Sequence, residues 1–387
     1  MQTFAAFQPP PRLLMGPGPS NVAPSVLEAM SHPVVGHLDP VFVKMMEEIK
    51  VMLRRVFLTK NEFTIPISGT GSAGMEFCFV NLVEPGDEVV IGVNGVFGTR
   101  MVDVAERCGA KVTKVEAPWG RIVETQQIAE ALKRVSKPKV VAIVHAETST
   151  GALTPIEAIS TLAHQSGALF LLDTVTSLGG CPVRIDEWEV DAVYSGTQKC
   201  LSCPPGLSPV SFSSRALETA AKRKTRVQSW YLDVNLLASY WGQDRVYHHT
   251  APISMNYALH EALRLVLDEG LESRWQRHEQ NHLALKAGLK AIGLPIASQE
   301  GHQLWQLNAV TVPEGVDEGA VRKRLLTDFN IEIGAGLGPL KGKIWRVGLM
   351  GETSSRASVK AFLSALSLIL NDSGRKTDGD AALAASA

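Results

Sequence analysis

The chain has 387 residues, with 38 basic and 39 acidic side chains and a formal net charge of -1. Hydrophobic residues at 45% and charged residues at 20% are a globular composition, and near-neutral charge excludes a nucleic-acid platform, which carries a basic excess. No apolar run of about 18 residues is present to span a membrane, and the N-terminus lacks the basic and apolar regions of a signal peptide, so a cytoplasmic protein is expected.

At about 150 residues per domain, the length fits about two or three domains. Five cysteines, Cys78, Cys108, Cys181, Cys200 and Cys203, are an odd number thinly spread, unlike a secreted disulfide framework. Cys200 and Cys203 form a CxxC with no second pair at zinc spacing. Buried thiols are therefore favoured over a metal or redox site, and no metal is expected.

Taken in chain order, the first 11 residues are Pro-rich and read as an extended arm. Met15-Gly16-Pro17-Gly18-Pro19-Ser20-Asn21 follows, too dense in Gly and Pro for a helix or a central strand. It is either a rigid loop lining a site or a structural turn. Val41 to Phe57 has helical spacing. Val89 to Val93 reads as a buried strand after the turn Pro85-Gly86-Asp87. Then alternate a helix over 102–108, a strand over 111–115, a helix over 128–135 and a strand over 140–144. A helix over 156–165 and a strand over 168–172 come next, with strands at 192–194 and 210–212.

Apolar strands separated by helices of 10–15 residues mean βαβ units and a mostly parallel sheet covered on both faces. From about Tyr257 the pattern turns helical. Short strands follow at 308–312 and 344–347, then a helix over 358–370. The expected class is α/β. Residues 1–20 are an arm and substrate loop, 21–269 a large domain, 270–371 a smaller α+β domain, and 372–387 a disordered tail.

Three features carry chemistry. Ser68-Gly69-Thr70-Gly71-Ser72-Ala73-Gly74 follows a strand and opens a helix, and free amides at a helix N-terminus bind phosphate. Its GxGxxG pattern suggests a nicotinamide-dependent dehydrogenase. That reading needs an acidic residue ending the next strand, whereas Asp87 and Glu88 precede it. A monophosphate cradle fits better. The strand 168–172 ends in Asp173, where ligands of parallel sheets lie; a cap or turn residue is the alternative. Lys199 follows a strand among small hydroxyl residues, and a partly buried lysine is a nucleophilic amine. A phosphate cradle, a strand-end Asp and a sequestered Lys together are what pyridoxal phosphate needs.

At this point the sequence resembles the class V aminotransferases of the fold type I pyridoxal-phosphate superfamily, over nearly the whole chain. It looks closest to alanine–glyoxylate and serine–pyruvate or serine–glyoxylate aminotransferases. The resemblance rests on the residues 15–21, 68–72, 85–87, Asn94-Gly95-Val96-Phe97-Gly98 and Glu147-Thr148-Ser149-Thr150-Gly151. It continues through Asp173-Thr174-Val175-Thr176-Ser177, Ser195-Gly196-Thr197-Gln198-Lys199, Pro204-Pro205-Gly206, Tyr247-His248-His249-Thr250-Ala251-Pro252 and Arg346-Val347-Gly348-Leu349.

The resemblance implies that Lys199 holds the cofactor as a Schiff base and then moves the substrate proton. It implies that Asp173 pairs with the pyridinium and Val175 packs on one ring face. Thr70, Gly71, Ser72 and Gln198 would hold the phosphate, and Thr148 would face the ring hydroxyl. Tyr247 and Thr250 would reach the phosphate of a neighbouring subunit, making a homodimer with shared sites. Arg346 would grip the substrate carboxylate, and Gly18 would limit the pocket to small side chains. Many relatives stack a Trp on the cofactor where this chain has Phe97, which stacks with less area.

The implied reaction moves the amino group of alanine or serine to glyoxylate or a similar small 2-oxo acid. No second arginine is placed for a side-chain carboxylate, which disfavours aspartate and glutamate. A cysteine desulfurase would need a His before the lysine and a late Cys. Here Gln198 precedes Lys199, and no Cys follows Cys203. An inert binding protein on the same fold would not need the set Lys199, Asp173 and Arg346.

Overall fold

The computed structural model describes residues 3–387. Seven strands form the main sheet: β1 (Phe63–Ser68), β2 (Glu88–Val93), β3 (Lys111–Glu116), β4 (Pro138–Val144), β5 (Leu169–Asp173), β6 (Ala192–Tyr194) and β7 (Leu207–Phe212). Their order is β1-β7-β6-β5-β4-β2-β3. Only β7 runs antiparallel to its neighbours in this sheet. The central strands β4, β5 and β6 are apolar apart from Lys139 and the strand-end Asp173, and almost wholly buried. That fits a sheet covered on both faces, where alternation is not needed.

Two hydrophobic cores sandwich this sheet. One joins Val141, Ile143, Phe170, Leu172 and Val193 to Leu259 and Leu263 of one helix, Ile253–Glu269. The other joins Val89, Ile91, Leu169 and Leu171 to Met75, Phe77 and Phe79 of the helix Gly71–Leu82. Each buried Leu, Ile or Phe contributes about 1.5–3 kcal/mol. Close approach needs glycine at one crossing: a Cβ on Gly98, in the helix Val96–Arg107, would fall 2.8 Å from the Gly92 carbonyl oxygen of β2.

Gly270, at a φ of 81°, separates the helices Ile253–Glu269 and Leu271–Ala291. Beyond it a three-stranded antiparallel sheet forms from β8 (Leu307–Thr311), β9 (Gly334–Ala335) and β10 (Ile344–Gly348), in the order β8-β10-β9. Its core includes Val310, Trp345, Val347, Phe362, Leu363 and Leu366.

Both chain ends differ from expectation. The arm is exposed and forms no helix or strand over Thr3–Pro10, with Met1 and Gln2 outside the described residues. Leu13–Leu14, however, pair in parallel with Ile331–Glu332, and buried Met15 joins the core of the three-stranded sheet, its carbonyl accepting from Gly348 N at 2.7 Å. The tail expected to be disordered folds into a helix over Gly379–Ala385, capped by Asp378, with Ala382 fully buried. Small residues make this possible. Gly288 leaves only enough room for close contact, since a Cβ there would sit 3.0 Å from the Ala382 carbonyl oxygen.

Candidate active site

The carboxyl ends of β4, β5 and β6 converge on one buried polar cluster. Asp173, the last residue of β5, sits in register with Tyr194 on β6 and Val144 on β4. It is 2% exposed. One carboxylate oxygen accepts from Val175 N at 2.8 Å and the other from the Tyr194 hydroxyl at 2.7 Å. Burial raises its pKa to about 7, while these two donors and Lys199 pull it back and Glu147 adds to the rise.

Lys199 is 7% exposed. Its amine donates to the Pro17 carbonyl oxygen, in the Gly/Pro loop. Its pKa is lowered to about 8, chiefly by desolvation and in part by Arg346, against Cys200, Asp173 and Glu147. Gly18 lies directly on it, at a φ of 111°: a Cβ would fall 2.6 Å from the amine nitrogen. The loop therefore packs directly against Lys199. The segment after Lys199 is held by buried Arg274, which donates to the carbonyls of Gly179 at 3.1 Å and Cys200 at 2.6 Å.

The glycine-rich loop meets the same cluster from the other side. Gly71 opens the helix Gly71–Leu82, so its first amides have no partners within the helix. The hydroxyl of Thr70 makes no capping bond there. Close packing surrounds Gly71: a Cβ would lie 3.3 Å from Val175 and 3.5 Å from the Gly196 backbone. A Cβ on Gly196 would in turn lie 2.9 Å from Oε1 of Gln198. That Oε1 is buried without a partner, and the exchangeable amide could turn Nε2 to an anion there. Asp87 and Glu88 serve turns at the amino end of β2. Asp87 accepts from Glu84 N at 2.8 Å, and Glu88 from Lys137 N at 2.8 Å. A dinucleotide therefore has no ribose-binding acid here.

Arg346, in the middle of β10, is 8% exposed. It donates to the carbonyls of Ala335 at 2.6 Å and Thr148 at 3.4 Å. No carboxylate forms an ion pair with it among the described residues; desolvation lowers its pKa, and the charge of Glu147 opposes this. A buried guanidinium without a counter-ion is a ready site for a carboxylate.

Two site residues escaped the sequence reading. Tyr194 is an apolar-strand residue by pattern, and only the β5–β6 register turns its hydroxyl to Asp173. Glu147 is fully buried and accepts from Phe97 N at 3.1 Å, Gly98 N at 3.4 Å, Ser149 N at 3.1 Å and Ser149 Oγ at 2.6 Å. It thereby ties the N-terminus of the helix Val96–Arg107, and Phe97 with it, to the turn that begins at Thr148. Burial raises its pKa although all four bonds oppose the rise. A lone acid among His145, Ala146, Thr148 and Ser149 was the available signal. Glu147→Ala leaves buried amides without partners and should cost about 3 kcal/mol of unfolding free energy, read from urea denaturation. An unchanged midpoint would remove Glu147 from this anchoring position.

Two expected residues stand apart. Tyr247 is 60% exposed and packs tilted against His37, with ring centroids 5.2 Å apart. Thr250 is exposed too. Neither hydrogen-bonds to the cluster in its own chain. The neighbouring His249 does, through Nε2 to Ser68 Oγ at 2.7 Å. All five cysteines are free and buried, and burial pushes Cys200 and Cys203 up to about 12, so both are inert thiols.

The residues fit pyridoxal phosphate. There is a sequestered amine for the aldehyde, an anion opposite it, an apolar contact at Val175, and free amides and hydroxyls for a phosphate. Comparison with known proteins agrees. The family model described as "Aminotransferase class-V" matches residues 13–362. The chain is 42% identical to the (S)-ureidoglycine–glyoxylate transaminase of Bacillus subtilis, covering 93% of this chain and 91% of that protein. It is 41% identical to the alanine–glyoxylate aminotransferase of Drosophila melanogaster, with 95% of each covered. The crystal structure of alanine–glyoxylate aminotransferase from Nostoc sp. is 51% identical and superposes with a TM-score of 0.94, over 95% of this chain and 98% of that one.

Proposed function

The chain belongs to the class-V aminotransferases, and on that premise we propose that it moves the amino group of alanine or serine to glyoxylate or a similar small 2-oxo acid. Its cofactor is pyridoxal phosphate, which when bound supplies an aldehyde for amines and a ring that accepts electrons from the substrate Cα–H bond.

In this reading Lys199 would hold the cofactor through its amine and, once released, carry a proton between the substrate Cα and the cofactor's former aldehyde carbon. The second task needs a neutral amine, which its burial favours. Asp173, fixed by Val175 N and the Tyr194 hydroxyl, keeps a negative charge at the ring nitrogen. Val175 and Phe97 cover the ring faces, and Thr148 faces the ring hydroxyl. Thr70, Gly71, Ser72 and Gln198 bind the phosphate. Arg346 takes the substrate carboxylate, and Gly18 keeps the pocket small. Exposed Tyr247 and Thr250 complete the phosphate site of a second copy, giving a homodimer. The described residues include no helix long and apolar enough to cross a membrane, and a cytoplasmic location belongs to the same proposal.

The observation that carries the reading is the pairing of a buried, uncompensated Arg346 with a buried Lys199 amine. Arg274 and Arg277 are both engaged by Glu269, which supports a site without a second carboxylate grip. A second donor, (S)-ureidoglycine, is favoured by the 42% identical relative. Initial rates with alanine, serine, (S)-ureidoglycine and aspartate, each against glyoxylate and pyruvate, test the proposal. Alanine or serine with glyoxylate should show the highest kcat/KM, with ping-pong kinetics. A dominant rate with ureidoglycine would replace them, and a dominant rate with aspartate would overturn the small-donor reading.

A further inference from the structure

Each group assigned above to the phosphate, Thr70, Gly71, Ser72 and Gln198, is neutral. A phosphate monoester carries about -1.5 to -2 charges at pH 7. Helix amides and hydroxyls position such a group, yet supply only partial charge. Lys199 and Arg346, the buried cations of the cluster, are committed to the aldehyde end of the cofactor and to the substrate carboxylate.

Arg100 stands where a full charge is missing. It lies three residues after Phe97 in the helix Val96–Arg107, a spacing that puts both on one face. Its guanidinium lies over the Phe97 ring, 5.1 Å from the centroid. From there Nη1 donates to Ser72 Oγ at 3.3 Å, in the first turn of the helix Gly71–Leu82. Among the described residues it is the only cation bonded to any of the four phosphate groups, and it forms no ion pair of its own. An exposed arginine with no carboxylate, held between a ring-stacking residue and a phosphate-binding hydroxyl, has the planar fork that suits a phosphate.

We propose that Arg100 is the cationic part of the phosphate site, held in place by Phe97 and Ser72. This rests on the pyridoxal-phosphate reading above. Binding turns the Ser72 hydroxyl to the phosphate, while the guanidinium supplies the charge from above the Phe97 ring.

The test compares two probes on cofactor-free protein: pyridoxal phosphate, and pyridoxal, which lacks the phosphate. Dissociation constants are measured by absorbance titration for wild type, Arg100→Gln and Arg100→Lys. Arg100→Gln should weaken pyridoxal phosphate about 10- to 100-fold, the range for losing a hydrogen bond to a charged group. Pyridoxal should change less than about twofold, and Arg100→Lys should recover most of the loss. Higher ionic strength should weaken the wild type more than Arg100→Gln. Equal weakening of both probes would overturn the proposal, because Arg100 would then act only through the ring of Phe97. No change in either would overturn it as well. A wild type that binds neither probe would instead refute the cofactor reading beneath it.

Discussion

Lys199→Ala should reduce turnover by at least about 10⁴-fold, the upper range for a removed general acid–base group, with covalent attachment lost besides. The wild type loaded with pyridoxal phosphate should be yellow, and borohydride should fix the cofactor on the peptide containing Lys199. The alanine variant should take no label. The fold should survive, because the amine bonds only to the Pro17 carbonyl oxygen. A pH profile adds a second readout. Desolvation pulls the Lys199 pKa down to about 8. Below that value the amine is protonated and not nucleophilic, so the neutral fraction falls about tenfold per pH unit. The rate at which cofactor-free protein captures pyridoxal phosphate should therefore climb with pH and level off above about 8. An exposed lysine would keep climbing to about 10.4. Continued climbing through pH 10 would show that the site does not desolvate this amine.

Arg346→Ala should lower kcat/KM about 10²- to 10³-fold. Truncating one partner of a buried charge pair costs about 2–5 kcal/mol, and each 1.4 kcal/mol is tenfold. The loss should appear mainly in KM, for the amino donor and the 2-oxo acid alike, since both present a carboxylate to the same guanidinium. Arg346→Lys keeps the charge and loses the planar fork, so it should fall between the two. An unchanged KM in the alanine variant would detach Arg346 from the carboxylate. A loss confined to the donor would mean that the two half-reactions use different grips.

Much of this site was legible in one dimension. Asp173 announced itself because it ends an unbroken apolar strand, where sheet topology puts ligands. Lys199 stood out as a cation among Ser195, Gly196, Thr197 and Gln198, where a solvated lysine has no reason to sit. The Gly/Pro loop was visible as a rigid turn, and its contact with Lys199 explains that rigidity. The glycine-rich loop was readable, including the acids Asp87 and Glu88, which precede β2 instead of ending it and argue against a dinucleotide. Strand boundaries fell within a few residues because periodicity marks a strand's middle better than its ends.

Periodicity, strand-end position and turn chemistry are local, and the sequence alone determined what depends on them: the α/β class, the order of the βαβ units, the glycine-rich turn into a helix, and the positions of Asp173 and Lys199 after strands. Contacts between distant segments leave no local trace, and only the tertiary structure decided those. Tyr194 looks like one more apolar strand residue until the register turns its hydroxyl to Asp173. Glu147 becomes an anchor only because the helix Val96–Arg107 ends its approach at that carboxylate. Arg100 resembles any surface arginine until two helices bring Phe97 and Ser72 under it. Met15 and Ala382, from the two ends of the chain, meet in one small core because small or flexible residues there permit close packing. Composition called the tail featureless; burial made it structure.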